Sequence, residues 1–200
     1  MAQLYLTLGQ NGGIWSGKPN AVTGTGTIYL ETSGVTEPLY QAASNASLTT
    51  STFKVVVVGQ SGDILLSNRT GDAPSTWSTV HTASKSLQAV AYGNGMWVAG
   101  GNNNLVLHSS NGTSWTEAQG AVKTSTTWAW AAHGNGKFVM VGTKTLQGKP
   151  VGAAQYSTDG INWTEATTGA QDPLQSIAYS PDLNVFVAVG DNGTIVSVDG

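Results

Sequence analysis

Apolar residues along this chain come in short runs cut by Gly, Asn, Asp and Ser. The runs are rich in β-branched residues and carry no helical spacing, which is the pattern of strands joined by tight turns. One phrase recurs. Val185-Phe-Val-Ala-Val-Gly-Asp-Asn-Gly-Thr-Ile195 reads as strand, Gly-centred turn, strand, and Leu4–Ile14, Lys54–Ile64 and Met96–Val106 repeat it. Lys137–Gly142 opens a further copy, which is followed by an insertion over Thr143–Val151. The glycines ending each first run are Gly9, Gly59, Gly101, Gly142 and Gly190, spaced roughly 40–50 residues apart, an interval typical of propeller blades or solenoid coils.

The repeat between Ser86 and Gln119 can be divided throughout. Ser86–Tyr92 is a first strand, Gly93-Asn-Gly95 a turn, and Met96–Gly100 a second strand. Asn102-Asn-Asn104 turns again into Leu105–Ser109, and Ser110-Asn-Gly112 leads to a fourth strand over Thr113–Glu117. Four antiparallel strands with tight turns make one blade. The next repeat follows the same plan, with a longer loop expected around Leu146–Pro150. Residues 18–51 are least regular, with strands expected over Gly24–Glu31 and Pro38–Ala42. The expectation is a single all-β domain over residues 1–200, a β-propeller of four-stranded antiparallel blades. It has about five blades or partial blades, divided near 1–50, 51–85, 86–120, 121–170 and 171–200. The first repeat lacks its inner strand and the last lacks its fourth.

Each complete repeat closes on a similar element: Ser109-Ser-Asn-Gly-Thr-Ser-Trp115 and Ser157-Thr-Asp-Gly-Ile-Asn-Trp163. It returns stretched as Ser67-Asn-Arg-Thr-Gly71 with Ser75-Thr-Trp77, and truncated as Ser197-Val-Asp-Gly200. These elements resemble the Asp-box, or bacterial neuraminidase repeat, family of β-propellers, in a form one residue shorter than the usual Ser-x-Asp-x-Gly-x-Thr-Trp. They are similar to the variant found in bacterial and phage surface and virion proteins. The resemblance covers roughly residues 54–200 and more weakly 4–16. It implies structural roles for Ser109, Asn111, Gly112, Trp115, Ser157, Asp159, Gly160 and Trp163. The Asx side chain would accept turn N–H groups, Gly would supply an unusual φ, and Trp would cover the hairpin.

Composition narrows the chemistry. There is no cysteine, charged residues make up 10%, and the net charge is −3. No thiol chemistry is available, and no basic run points to nucleic acid. No apolar stretch approaches the length of a membrane span, and the Met-Ala-Gln-Leu start lacks the pattern of a secretory signal. Asp-box sialidases imply three arginines on the substrate carboxylate, whereas Arg69, read beside a turn, is the one arginine here. A sialidase-like glycoside hydrolase is therefore disfavoured. The acids Asp63, Asp72, Asp159, Asp182, Asp191 and Asp199 fall in or beside turns. Glu117 and Glu165 are repeat equivalents and not a catalytic pair. His81, His108 and His133 have no metal-ligand spacing. No catalytic residue, metal site or cofactor is expected.

The remaining signal is aromatic. Trp128 and Trp130 lie two apart on what reads as one strand face, in place of Leu87 and Ala89. They could stack a sugar, although core filling is the favoured reading. Trp15 is the third candidate for ligand binding. Together these features lead to a non-enzymatic structural or recognition propeller on a virion (phage tail, fibre or head decoration) or cell surface. Its expected partners are other virion or surface proteins and host glycans, with a homo-oligomer open and membrane insertion not expected. A carbohydrate-binding lectin propeller is the alternative.

Overall fold

The computed structural model describes residues 5–19, 26–46, 52–70, 75–118, 122, 124–193 and 195–199. They form five antiparallel sheets that follow one another in chain order. The first holds β1 (Tyr5–Leu8), β2 (Ile14–Pro19) and β3 (Gly26–Glu31). The second holds β4 (Leu39–Ser44), β5 (Thr52–Gly59), β6 (Asp63–Thr70) and β7 (Ser78–Thr82). The third holds β8 (Leu87–Gly93), β9 (Met96–Gly101), β10 (Val106–Ser109) and β11 (Thr116–Glu117). The fourth holds β12 (Thr126–Gly134), β13 (Lys137–Leu146), β14 (Lys149–Ser157) and β15 (Thr164–Ala166). The fifth holds β16 (Leu174–Ser180), β17 (Val185–Gly190) and β18 (Ile195–Asp199).

The end sheets are three-stranded, as the unequal first and last repeats predict. β1 packs against β4 as β5 packs against β8, so β1 takes the second position of its sheet. The sheet boundary differs from the expected break near residue 50. β4 pairs with β5, so the chain enters the second sheet by Leu39.

Asn-Gly pairs make the β8–β9 and β12–β13 hairpins. Asn94 and Gly95 have φ of 49° and 76°, and Asn135 and Gly136 have 42° and 73°, the double positive φ of a type I′ turn. The expected long loop around Leu146–Pro150 is instead a hairpin tip. Gln147 and Gly148 both have positive φ, and Thr143–Leu146 pair with Lys149–Gly152. The insertion lengthens β13 and β14 because its residues keep alternating across a turn whose twist matches theirs.

Four apolar clusters fill the four contacts between neighbouring sheets. Period-2 alternation explains how one strand serves two of them. In β13, Phe138 and Met140 pack toward the third sheet, while Val139 and Val141 pack toward the fifth.

The innermost strands β4, β8, β12 and β16 share one irregularity. Pairing with the second strand skips a residue between Leu39 and Gln41, Leu87 and Ala89, Trp128 and Trp130, and Leu174 and Ser176. This bulge overturns the expectation that Trp128 and Trp130 share a face. The extra residue, Ala129, breaks the alternation. Trp128 then joins the core between the third and fourth sheets, and Trp130 the core between the fourth and fifth.

Candidate functional site

The two closing turns are built alike. Ser109 Oγ accepts the Gly112 N–H at 2.8 Å, and Asn111 Oδ1 accepts the N–H groups of Thr113 and Ser114 at 2.8 and 2.9 Å. Ser157 and Asp159 repeat this with Gly160, Ile161 and Asn162, at 2.8 Å in each case. The indole N–H of Trp115 donates to Gly112 O, and that of Trp163 to Gly160 O, both at 3.2 Å. Backbone and side-chain hydrogen bonds from Asn162, with the Ile161 N–H, hold the Asp159 carboxyl well below its usual range. With Asn162 Nδ2 on its second oxygen, Asp159 is a fixed anion inside a turn. The turn also shortens the following strand. Thr113 and Ser114 N–H groups go to Asn111, so β11 begins only at Thr116 and not at Thr113 as expected.

These turns wedge between sheets. A Cβ on Gly160 would lie 2.8 Å from Val98 of the third sheet, and one on Gly112 3.7 Å from Leu66 of the second. The stretched version in the second sheet differs. Ser67 Oγ donates to Ser75 Oγ at 2.7 Å, and residues 71–74 lie outside the described residues. In the fifth sheet the register is displaced. Ser197 pairs with Val187, whereas Ser109 and Ser157 pair with Trp97 and Phe138, the equivalents of Phe186. Gly200 of that truncated copy is outside the described residues.

A buried polar cluster joins the first two sheets. Arg69 donates to both carboxylate oxygens of Glu31, at 3.0 and 2.8 Å, and Trp77 Nε1 donates to Oε2 at 2.7 Å. Ser16 Oγ donates to Oε1. Both charged side chains are fully buried. Burial opposes the Glu31 carboxylate, but these hydrogen bonds and the Arg69 charge outweigh it and lower the pKa below its ordinary 4.5. Arg69 is thus inside a strand, not beside a turn. The missed signal was the inward alternation of Leu65, Ser67 and Arg69 along β6.

Gln41 reaches between three innermost strands. Its Oε1 accepts the N–H groups of Val90 at 3.0 Å and Ala131 at 3.2 Å, and its Nε2 donates to Ala131 O at 2.9 Å. A single amide thereby satisfies edge groups on β8 and β12, which a buried backbone requires.

Trp128 is wholly buried, its indole N–H donating to Asn104 Oδ1 at 3.2 Å, so it presents no face to a ligand. Trp130 is half-buried. Trp15 is 37% exposed and lies over Gly9 and Gly13, where a Cβ would come within 2.9 and 2.4 Å of its ring. Beside it across the ladder is exposed Leu30, with Ile28 on the same face. At the other end of the row of sheets, Val187 and Val189 of β17 are 38% and 45% exposed.

His133 packs its ring, tilted, against Phe138 as Tyr92 does against Trp97 and Tyr179 against Phe186. Among the described residues no three His, Asp or Glu side chains converge as metal ligands, and no helix is long and apolar enough to cross a membrane. One apolar cavity of about 170 Å³ opens between the fourth and fifth sheets, lined by Val139, Val141, Ala154, Tyr156, Phe186 and Ala188 among others. That is below the roughly 300 Å³ at which pockets begin to enclose small-molecule ligands.

No protein-family model matches the chain, and no curated protein matches it. Among solved structures it is similar to the computationally designed Ika4 protein, at TM-score 0.55 and 14% identity over 81% of this chain and 91% of that one, a likeness of fold.

Proposed function

We propose that the chain is a non-enzymatic structural and recognition module whose five sheets are successive blades of a β-propeller of Asp-box type. It would act on a virion or cell surface by docking to other proteins. One observation carries this reading. The faces at the two ends of the row are apolar and exposed, whereas their equivalents inside the row are core. Leu65, which holds the position of Trp15, is completely buried. Val98 and Val139, which hold the position of Val187, are at most 3% exposed. Apolar side chains clustered on open faces mark protein contact surfaces. The commitment of Arg69 to Glu31 supports the non-enzymatic part, since it removes the one guanidinium from any substrate carboxylate.

The test is association. Copurification with a virion or surface protein, abolished by Val187→Asp with Val189→Asp, is the expected result. Binding on a glycan array without any protein association would replace this reading with the lectin alternative, and turnover of a glycoside would replace it with an enzyme.

A further inference from the structure

The fourth sheet departs from the repeat at the junction of its second and third strands. In the second, third and fifth sheets that junction is a short turn, at Gln60–Gly62, Asn102–Asn104 and Asp191–Gly193. In the fourth, β13 and β14 run on through the pairs from Thr143↔Gly152 to Leu146↔Lys149. At a rise of about 3.3 Å per residue, the hairpin stands roughly 10 Å beyond its neighbours. Thr145–Pro150 are exposed throughout.

Alternation gives this hairpin two unlike faces. Lys144, Leu146, Lys149 and Val151 continue the face that Met140 and Ala153 turn toward the third sheet. Thr143, Thr145 and Pro150 lie on the other. Leu146 is 54% exposed. Lys149 has no partner among the described residues, and Lys144 is held by Glu165 at 2.6 Å. Residues 143–152 include these two lysines and no acid, in a chain whose net charge is −3. The outer edge of the hairpin is closed to strand addition. Gly152 turns its N–H outward to Ala170 O, so Pro150, two residues away on the same strand, also faces outward and has no N–H to give. A partner therefore meets the hairpin through side chains.

We infer that the face formed by Lys144, Leu146, Lys149 and Val151 is a docking surface for an acidic segment of a partner protein. The segment sets an apolar side chain against Leu146 and Val151 and a carboxylate on Lys149. Charge selects this occupant. A second copy docked through the same face would set lysine against lysine, and two lysines are too few to hold a nucleic-acid backbone. Lysine stems lie along apolar surface with their charges in water, so one face supplies both kinds of contact. Glu165 is an internal competitor, because it holds the ammonium that a second partner carboxylate would take. The inference rests on the docking reading only in taking the partner to be a protein, and it uses a surface separate from the faces at the ends of the row.

The probe is a random-peptide display library, selected on the intact protein and counter-selected on the Leu146→Ser, Lys149→Glu variant. Enrichment of peptides with Asp or Glu beside an apolar residue is expected. The leading peptide, labelled and followed by anisotropy, should bind about tenfold more weakly to Leu146→Ser and to Lys149→Glu, the loss of one anchoring side chain in each case. Glu165→Gln, which frees Lys144, should tighten binding severalfold. Glu117→Gln removes the same charge from the equivalent position of the third sheet, where no lysine is paired with it, and should leave binding unchanged. Thermal melts of all four variants should match the parent, because exposed side chains and a surface ion pair contribute little, so a loss of binding is not a loss of fold. No enrichment, enriched peptides without acids, or equal tightening by Glu117→Gln and Glu165→Gln overturns the inference. Binding to phosphatidylserine vesicles with no peptide selected also overturns it, in favour of a lipid surface. Failure here leaves the docking reading standing, because copurification and the Val187→Asp, Val189→Asp variant test that separately.

Discussion

Tyr92, His133 and Tyr179 hold equivalent places, and two of them lie on a glycine of the preceding sheet. A Cβ on Gly93 would meet His133 Cγ at 2.1 Å, and one on Gly134 would meet Tyr179 Cγ at 2.1 Å. These glycines are needed for close approach of neighbouring sheets. Gly134→Ala is expected to cost about 1–3 kcal/mol in urea unfolding, as an overpacked core position does. Adding Tyr179→Ala should recover part of that, because the two residues touch. His133 differs from its tyrosine equivalents in being titratable. Burial lowers its pKa below 6.5, and its Nε2 has no partner among the described residues. The folded state therefore resists protonation. Stability is full above the unfolded value near 6.5 and falls as pH drops below it toward the folded value. His133→Tyr, which restores the residue of the neighbouring sheets, should remove that part of the pH dependence in thermal melts between pH 7 and 5.

At the scale of the element, the bulge in each innermost strand decides which side chains face which core. It also sets Gln41, the first residue after its bulge, among β8 and β12. Gln41→Leu is similar in size but leaves three backbone hydrogen bonds unmade, at about 1–3 kcal/mol for each group stranded from water. The loss is measurable as a lowered urea midpoint with an unchanged slope. The link between β3 and β6 carries a second expectation. Glu31→Leu leaves Arg69 buried without its carboxylate and should cost about 3–5 kcal/mol. Glu31→Leu with Arg69→Leu should recover most of it, since replacing both charges by apolar groups removes the uncompensated one. Because the Glu31 pKa is lowered in the folded state, its contribution is present above pH 4.5 and is lost as pH falls through the folded value. The double variant should show less acid destabilisation in that window.

At the scale of the molecule, burial depends on which sheet comes next. Val187 and Val189 repeat positions that are core in the middle sheets, yet nothing follows them among the described residues. Val187→Asp with Val189→Asp should change the melting temperature little, because both side chains are exposed and belong to no core cluster. It should also reduce concentration-dependent association in sedimentation velocity. A large fall in stability would show instead that the face is covered within the chain.

The strands, the Asn-Gly hairpins, the repeat and the two incomplete ends follow from the order of residues alone. Alternation, turn chemistry and periodicity act over a few neighbours, so Met96–Gly101 and Ser109–Trp115 carry their own signals. The tertiary structure decided the rest. Glu31 and Arg69 stand 38 residues apart and Gln41 and Ala131 stand 90 apart, so no local pattern links them. The bulge at Ala129 exists only as two residues set against one on another strand, and it sends Trp128 and Trp130 to different cores. The cavity between the fourth and fifth sheets was equally out of reach of the sequence, because its walls are drawn from two sheets.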